Sequence, residues 1–234
     1  MSNISIVIPV LNEVGNIDKL IPYLLHNSSL EHISEIIVVD GGSTDGTQNI
    51  VNSFPEVRLV NSEKGRGTQM NTGAKLTKGT ILYFLHADSY PPKNFDTYIL
   101  ETISNKSEAG CFKMAFNSSH WWLRLAGWLT QFSWKISRGG DQSLFVNKSL
   151  FDTLGGYNTD YKIYEDNHFI NSLYKVTKFT VIQEKLTTSA RRYQSKGIWT
   201  LQYHFLVIHL KYSLGASPKA LHNYYLKYIN VKKQ

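Results

Sequence analysis

The stretch EIIVVDGGSTDGT, Glu35 to Thr47, constrains this chain more than any other. Its β-branched run, Ile36 to Val39, reads as a buried parallel strand. Asp40 ends the run, two glycines follow, and Ser43, Thr44 and Asp45 each offer an oxygen to cap a helix starting near Gly46. Strand, tight turn and helix in that order is the unit of an open α/β sheet, where ligands bind outside the carboxyl ends of the strands. Asp40 stands where it can accept hydrogen bonds from a ribose or a base edge. The alternative is that it serves only the turn.

With 234 residues the chain has room for one well-cored α/β domain and not for two. The single cysteine, Cys111, excludes an internal disulfide framework and fits a reducing compartment. The start, MSNISIVIPVLNE, lacks a basic segment and meets Pro9 and charge too soon for a secretory signal, so the expected location is cytoplasmic. A net charge of +7 favours anionic partners, whether nucleotide phosphates, anionic lipid heads or nucleic acid. No long Lys/Arg block precedes the C-terminal end, so no nucleic-acid partner is expected.

Taken in order, Ser5 to Val10 reads as a strand, and Asn16 to Leu25 as a helix with Ile17, Leu20, Ile21 and Leu24 on one face. Pro9 lacks an N–H and suits the end of a strand. Glu13 falls either at the top of the sheet beside Asp40 or in a solvated first helical turn. A short helix over Thr47 to Phe54 and a strand over Val57 to Val60 lead to Lys64-Gly65-Arg66-Gly67, before a helix through Met70, Ala74 and Leu76. Glycines flanking a cation let the backbone approach a phosphate that the guanidinium then reaches, which makes Arg66 a contact candidate; a solvated basic loop is the alternative. Thr80 to Leu85 is the next strand, ended by His86-Ala87-Asp88. Residues two apart on an extended chain point the same way, so His86 and Asp88 can face one ion. Imidazole with carboxylate suits manganese, and carboxylate with waters and phosphate oxygens suits magnesium.

Ala109 to Phe116 reads as a strand, and His120 to Ile136 as largely helical. Trp121, Trp122, Leu125, Trp128, Leu129, Phe132 and Trp134 are too many for one narrow core stripe. Tryptophan faces stack on sugar rings and favour membrane interfaces, so Trp121 and Trp122 are acceptor-side candidates, with plain packing as the alternative. Asp141 and Gln142, after Gly139-Gly140, are further acceptor-side candidates. Glu165 and Asp166 open a helix through Phe169, Ile170, Leu173 and Tyr174, where the helix dipole keeps carboxylates ionised, as a general base must be. Phe179 to Ile182 and Leu186 to Ser189 read as two late strands. Arg191 and Arg192 follow, a pair able to clamp a diphosphate. Ile198 to Leu214 is too short and too polar for a membrane span. Its helix-spaced Trp199, Tyr203, Leu206 and Leu210, with Lys219, Lys227, Lys232 and Lys233 beyond, are expected to pack on the domain, with an anionic membrane face as the other possibility.

Six segments together, SIVIPVLNE (5–13), VVDGGSTDGT (38–47), GRGTQMNTGA (65–74), LHAD (85–88), GDQSLF (140–145) and YED (164–166), resemble glycosyltransferase family 2 with its GT-A fold. The resemblance implies a Rossmann-like, mostly parallel sheet flanked by helices. Residues 1–88 would form a nucleotide-binding half, 89–193 an acceptor and catalytic half, and 194–234 a C-terminal helical segment. It implies transfer of a sugar from a nucleoside diphosphate donor, with inversion and with manganese or magnesium on the diphosphate. Asp40 and Glu13, beside Pro9 and Gly41, would hold the nucleoside, Arg66 the base or phosphate side, and Asp88, with His86, the metal. Asp166 would take the proton from the acceptor hydroxyl and Glu165 would position the loop. The acceptor is a saccharide, a lipid-linked group or a small molecule. Many relatives have a second Asp where Gly41 stands, and the usual Asp-x-Asp metal motif reads His86-Ala87-Asp88, a pattern shared with a small bacterial subgroup. Of the family's Gln-x-x-Arg-Trp motif only the basic and aromatic parts survive, at Arg191-Arg192-Tyr193. Two other readings are a sugar-phosphate nucleotidyltransferase, which the Pro-Val-Leu-Asn-Glu end of the first strand disfavours, and a silent nucleotide-sugar binding module.

Overall fold

The computed structural model describes residues 3–139 and 142–230. Strands β1 (Ile4–Val10), β2 (Ile33–Asp40), β3 (Val57–Asn61) and β4 (Ile81–Phe84) form a parallel half-sheet in the order β3-β2-β1-β4. Next to β4 comes β7 (Leu144–Asn147), antiparallel both to it and to β6 (Ala109–Phe116). β8 (Phe179–Thr188) runs parallel to β6, and the two-residue β5 (Ser89–Tyr90) closes the edge. This is the α/β, mostly parallel, helix-flanked sheet expected from the sequence.

Every residue of β1 is buried, because helices cover both faces of the sheet. On one face Ile4, Ile6 and Ile8 pack against α1 (Val14–Asn27), α2 (Thr47–Asn52) and α4 (Phe95–Ser104). On the other, Val7 and Val39 pack against α3 (Arg66–Lys75), α6 (Lys148–Thr153) and α7 (Glu165–Val176). Ile17, Leu20, Ile21 and Leu24 form the buried stripe of α1 that their spacing predicts. Helix α3 lies close on the sheet because Gly73 faces it: a Cβ there would come within 2.4 Å of Val7 Cγ1.

Pro9 does no harm inside β1. The β1 residues facing β4 are the odd ones, with Leu85 N–H bonded to Val7 C=O, and the ladder to β4 stops at Val7 opposite Phe84. Pro9 lies beyond that point, where no N–H is required.

Three sequence expectations change. The two late strands are one, β8, whose register against β6 shifts between Phe112 and Lys113, which pair with Ile182 and Lys185. The bulge breaks the apolar alternation that made the strand look like two. The His120 to Ile136 segment is α-helical only as α5 (Trp121–Leu129), with a single 3-10 turn beginning at Lys135. The chain then turns, because Thr130 Oγ1 accepts from Met114 N–H and Arg138 donates to the carbonyls of Thr130 and Phe132. Finally, α9 (Ile198–Ser213) buries Leu201 and Ile208 and leaves Trp199, Tyr203, Leu206 and Leu210 more than half exposed, so their packing on the domain is partial: Trp199 meets the Trp122 ring at 5.1 Å and Leu206 lines a cavity. A third apolar cluster joins α5, α8 (Arg191–Lys196), α9 and α10 (Pro218–Tyr228) through Leu123, Tyr193, Leu201 and Leu221. Lys232 and Lys233 lie outside the described residues.

Candidate active site

The loops after β1 and β2 are sewn together at the carboxyl edge of the sheet. Asn12 Oδ1 accepts from Thr44 N–H at 2.8 Å, Asn12 N–H donates to Ser43 Oγ, and Glu13 N–H donates to Thr47 Oγ1 at 3.0 Å. Asp45 accepts from Val14 N–H at 3.1 Å as well as from Thr47, so it satisfies the start of α1 across the gap, while the position before α2 is Gly46, at φ 93°. Asp40 is buried and serves its turn: its carboxylate accepts from Gly42 N–H, from the Ser43 N–H and hydroxyl, and from Gln48 Nε2 at 2.7 Å. Burial pushes its pKa up, but these hydrogen bonds outweigh it and leave the carboxyl below its usual range. Its contribution to stability is therefore present above the ordinary carboxylate range and is lost as pH falls through the lowered pKa. Gly41 leaves space for Gln69, whose Nε2 ties Val10 C=O to Val39 C=O at 2.7 and 2.8 Å; a Cβ on Gly41 would approach that amide to 3.0 Å. The buried Gln69 replaces, as a polar brace between β1 and β2, what an acid at position 41 would occupy.

Beyond this edge lie two cavities with a common wall. The first, of about 380 Å³, is polar and is lined by Pro9, Glu13, His86, Asp88, Arg191 and Arg192 among others. Arg191 reaches Glu13 Oε1 at 3.4 Å, bridging the end of β8 to the end of β1. His86 and Asp88 do not sit on extended chain as the spacing argument assumed. They flank a turn closed by Ser89 N–H on His86 C=O at 3.1 Å, and the turn still delivers both to the same cavity. Asp40 and Gly41 line neither cavity.

The second cavity, of about 530 Å³, is mostly apolar, walled by α5, α7, α9 and α10 among others, with Asp166 in its lining. Arg66, Arg192, Tyr193 and Phe205 belong to both cavities. Arg192 donates to the Tyr225 hydroxyl, and its guanidinium lies over the Phe205 and Tyr225 rings, each at 5.3 Å. Trp122 lines this cavity, whereas Trp121 does not and stands 60% exposed. Gln142 is buried at its floor, with Nε2 on Ser137 C=O; Asp141 lies outside the described residues.

Glu165 and Asp166 occupy the first turn of α7, both nearly buried, with Arg66 between them and the polar cavity. Arg66 Nε lies 2.6 Å from Glu165 Oε1, and a terminal nitrogen 3.9 Å from Asp166 Oδ2. The short Glu165 contact is off the N–H direction, so it is an ion pair without an aligned hydrogen bond. Burial, with Asp166 adding to it, raises the Glu165 pKa against the pull of Arg66. The sequence assigned Arg66 to the nucleotide; here it also pairs with the two acids.

A buried acid with a raised pKa is most stable where it is protonated, and that stability is lost as pH rises through the folded-state value. Arg66→Gln removes the one cation opposing the shift. Because the Arg66 side chain is 43% exposed, the expected loss near pH 7 is about 1–3 kcal/mol, below the 3–5 typical of a fully buried pair. The difference from the unaltered protein shrinks between pH 7 and an acidic pH at which more of Glu165 is protonated, because its pKa is raised. Urea unfolding at both pH values measures this, and a loss independent of pH would show that Arg66 acts by packing alone.

Sequence reasoning named Tyr164 within YED but missed the contacts that hold this corner. Tyr164 precedes α7 at φ 67°, a left-handed conformation costly for a non-glycine residue, and its hydroxyl meets His209 Nδ1 of α9 at 2.5 Å. His168 Nδ1 meets the Tyr212 hydroxyl at 3.0 Å. Arg138 is buried and pairs with no acid among the described residues, its donors going to the Thr130, Phe132 and Trp134 carbonyls and to Cys111 Sγ. No spacing in the chain links Tyr164 to a histidine 45 residues on; only the docking of α9 does.

The same fold appears in solved structures. Staphylococcus aureus TarS (residues 1–349) in complex with UDP superposes with a TM-score of 0.69 at 19% identity, covering 80% of this chain and 60% of that one. The mannosyltransferase PcManGT from Pyrobaculum calidifontis, in complex with GDP-Man and Mn2+, gives 0.68 at 19% identity, covering 96% and 70%. These likenesses define a GT-A-like architecture. The model of glycosyl transferase family 2 matches residues 5–180, and the chain belongs to that family. Among curated relatives, the PGL/p-HBAD biosynthesis glycosyltransferase of Mycobacterium tuberculosis is 30% identical over 186 residues, 70% of this chain and 67% of that protein. Glycosyltransferase AglE of Haloferax volcanii is 33% identical over 107 residues, but the match spans only 35% of its length.

Proposed function

We propose that this chain transfers a sugar from a nucleoside diphosphate donor to an acceptor hydroxyl, by direct displacement with inversion. The observation that carries this is the pair of cavities sharing one wall: a polar one edged by cations and an apolar one with Asp166 in its lining. The donor's diphosphate would lie against Arg191 and Arg192, which offset the charge growing on the leaving nucleotide. Its nucleoside would rest on the sewn loops above β1 and β2, near Pro9 and Glu13, with Asp40 and Gly41 shaping the turn beneath. Asp166, facing the acceptor cavity from the helix start, would take the hydroxyl proton, while Glu165 and Arg66 hold the loop that positions it.

The donor set fits a divalent ion that arrives with the nucleotide. Asp88 supplies a carboxylate and His86 an imidazole, and no group of three or more His, Cys, Asp or Glu stands together among the described residues. Magnesium or manganese takes one or two protein ligands when phosphates and waters complete its shell, and there it would neutralise the diphosphate.

A panel of UDP- and GDP-sugars with manganese, read by thermal shift and then by release of nucleotide, tests the reading. A bound donor at a hundred times its dissociation constant adds about 2.7 kcal/mol of stability, enough to move the melting temperature by several degrees. Stabilisation with no nucleotide released would favour a binding module. Release of pyrophosphate from nucleoside triphosphate and sugar phosphate would favour a nucleotidyltransferase.

A further inference from the structure

Helix α5 and helix α9 each present an apolar stripe to solvent. Trp121, Leu125 and Trp128 recur at helical spacing on α5, and Trp199, Tyr203 and Leu210 do so on α9. The two stripes meet where the Trp121 and Trp199 rings lie 6.0 Å apart, making one exposed face. Ordinary surfaces scatter such residues singly, and a contiguous face of this kind marks an interaction site.

Its partner can be read from composition and position. Tryptophan and tyrosine are the residues that settle at membrane–water interfaces. The sequence has no acidic residue between Glu108 and Asp141 and none from Lys185 to Gln234, while Arg124, Lys211, Lys219 and Lys227 fall within these stretches. An apolar aromatic face set in purely cationic sequence is complementary to an anionic bilayer, and the two attractions add. No helix among the described residues is long and apolar enough to cross a membrane, so the contact would lie in the interface plane. Leu206 lies on α9 between Tyr203 and Leu210, and Trp134 is joined to Trp128 through the Phe132 ring; both are exposed and also line the apolar cavity, as Asp166 does. The cavity therefore opens beside the face that would touch lipid.

We propose that the α5–α9 face docks this protein on anionic lipid bilayers, and that the apolar cavity receives an acceptor hydroxyl borne on a hydrocarbon chain delivered from that surface. The docking half stands alone; the acceptor half rests on the glycosyl-transfer reading.

The test is co-sedimentation of the full chain with vesicles of phosphatidylcholine alone and of equal parts phosphatidylcholine and phosphatidylglycerol. Binding is expected to the anionic vesicles and to weaken by about tenfold or more in high salt. The triple variant Trp128→Ser/Tyr203→Ser/Leu210→Ser, whose residues line neither cavity, should lose about tenfold or more in vesicle affinity with donor hydrolysis unchanged. Should that variant fail to fold by circular dichroism, Arg124→Gln/Lys211→Gln and quenching of the intact protein's tryptophans by brominated lipid carry the same test. A protein left in the supernatant with both vesicles, unchanged binding by the variants, or a dimer broken by the same substitutions without vesicle binding would overturn docking. Dodecyl β-glucoside below its micelle concentration should bind at least about tenfold tighter than methyl β-glucoside, and equal affinity or no binding would overturn the acceptor half. Vesicle binding with no donor turned over would overturn the glycosyl-transfer reading alone, and turnover without vesicle binding the docking alone.

Discussion

Asp166→Asn is expected to keep donor binding and lose transfer, with turnover falling by about 10² to 10⁴-fold, the range for removing a general base. The amide preserves the shape of a side chain that is 6% exposed in the wall of the apolar cavity. It also removes a negative charge that raises the pKa of Glu165, so the melting temperature should hold or rise slightly near neutral pH. A residue needed only for structure would behave in the opposite way, losing stability and keeping its rate. Glu165→Gln should be milder in rate, because Glu165 is buried against Arg66 and does not line the apolar cavity. Steady-state transfer, with donor affinity measured separately by calorimetry, distinguishes the two. Equal loss in both variants would move the base elsewhere, first to His86 or Asp141.

The half of the fold that was legible is the half built from local rules. Ile36 to Val39 and Ser5 to Val10 are runs whose burial on both faces follows from composition, and the Ile17, Leu20, Ile21, Leu24 stripe follows from helical period. The acids of α7 were placed by the same logic, since a first-turn carboxylate sits where the helix dipole and the loop before it direct it. What failed needed tertiary information. The bulge in β8 answers to pairing with β6, the end of α5 answers to Arg138 and Met114, and the outward face of α9 is set by which of its apolar stripes finds the third core. Asp40 is instructive in another way. A strand-end carboxylate beside two glycines supported two readings, and the hydrogen bonds to Ser43, Gly42 and Gln48 tie it to the turn, while Gln69 fills the space beside Gly41. The turn chemistry was visible in the sequence, but the buried glutamine 28 positions later was not.

Asp88→Ala is expected to abolish the dependence of donor binding on manganese while leaving the fold intact. Asp88 and His86 flank one turn and face the cavity that Arg191 and Arg192 edge from the opposite element. No cluster of three or more ligating side chains stands among the described residues, so on the metal reading an ion's affinity comes from Asp88, His86 and the diphosphate together. Binding of the two is then coupled, and by linkage manganese strengthens nucleotide binding by the same factor that nucleotide strengthens manganese binding. Calorimetric titration of nucleoside diphosphate with and without manganese, and of manganese with and without nucleotide, measures both legs of that cycle. In Asp88→Ala both factors should collapse to one. His86→Ala should reduce them by about 10 to 100-fold if the imidazole orients the carboxylate and not the ion itself, the loss usual for a supporting group. The competing arrangement is already in the cavity: two guanidiniums can neutralise a diphosphate without any metal. In that case Asp88→Ala would leave nucleotide affinity and its manganese dependence unchanged, Arg191→Gln and Arg192→Gln would carry the loss, and the metal assignment would fall.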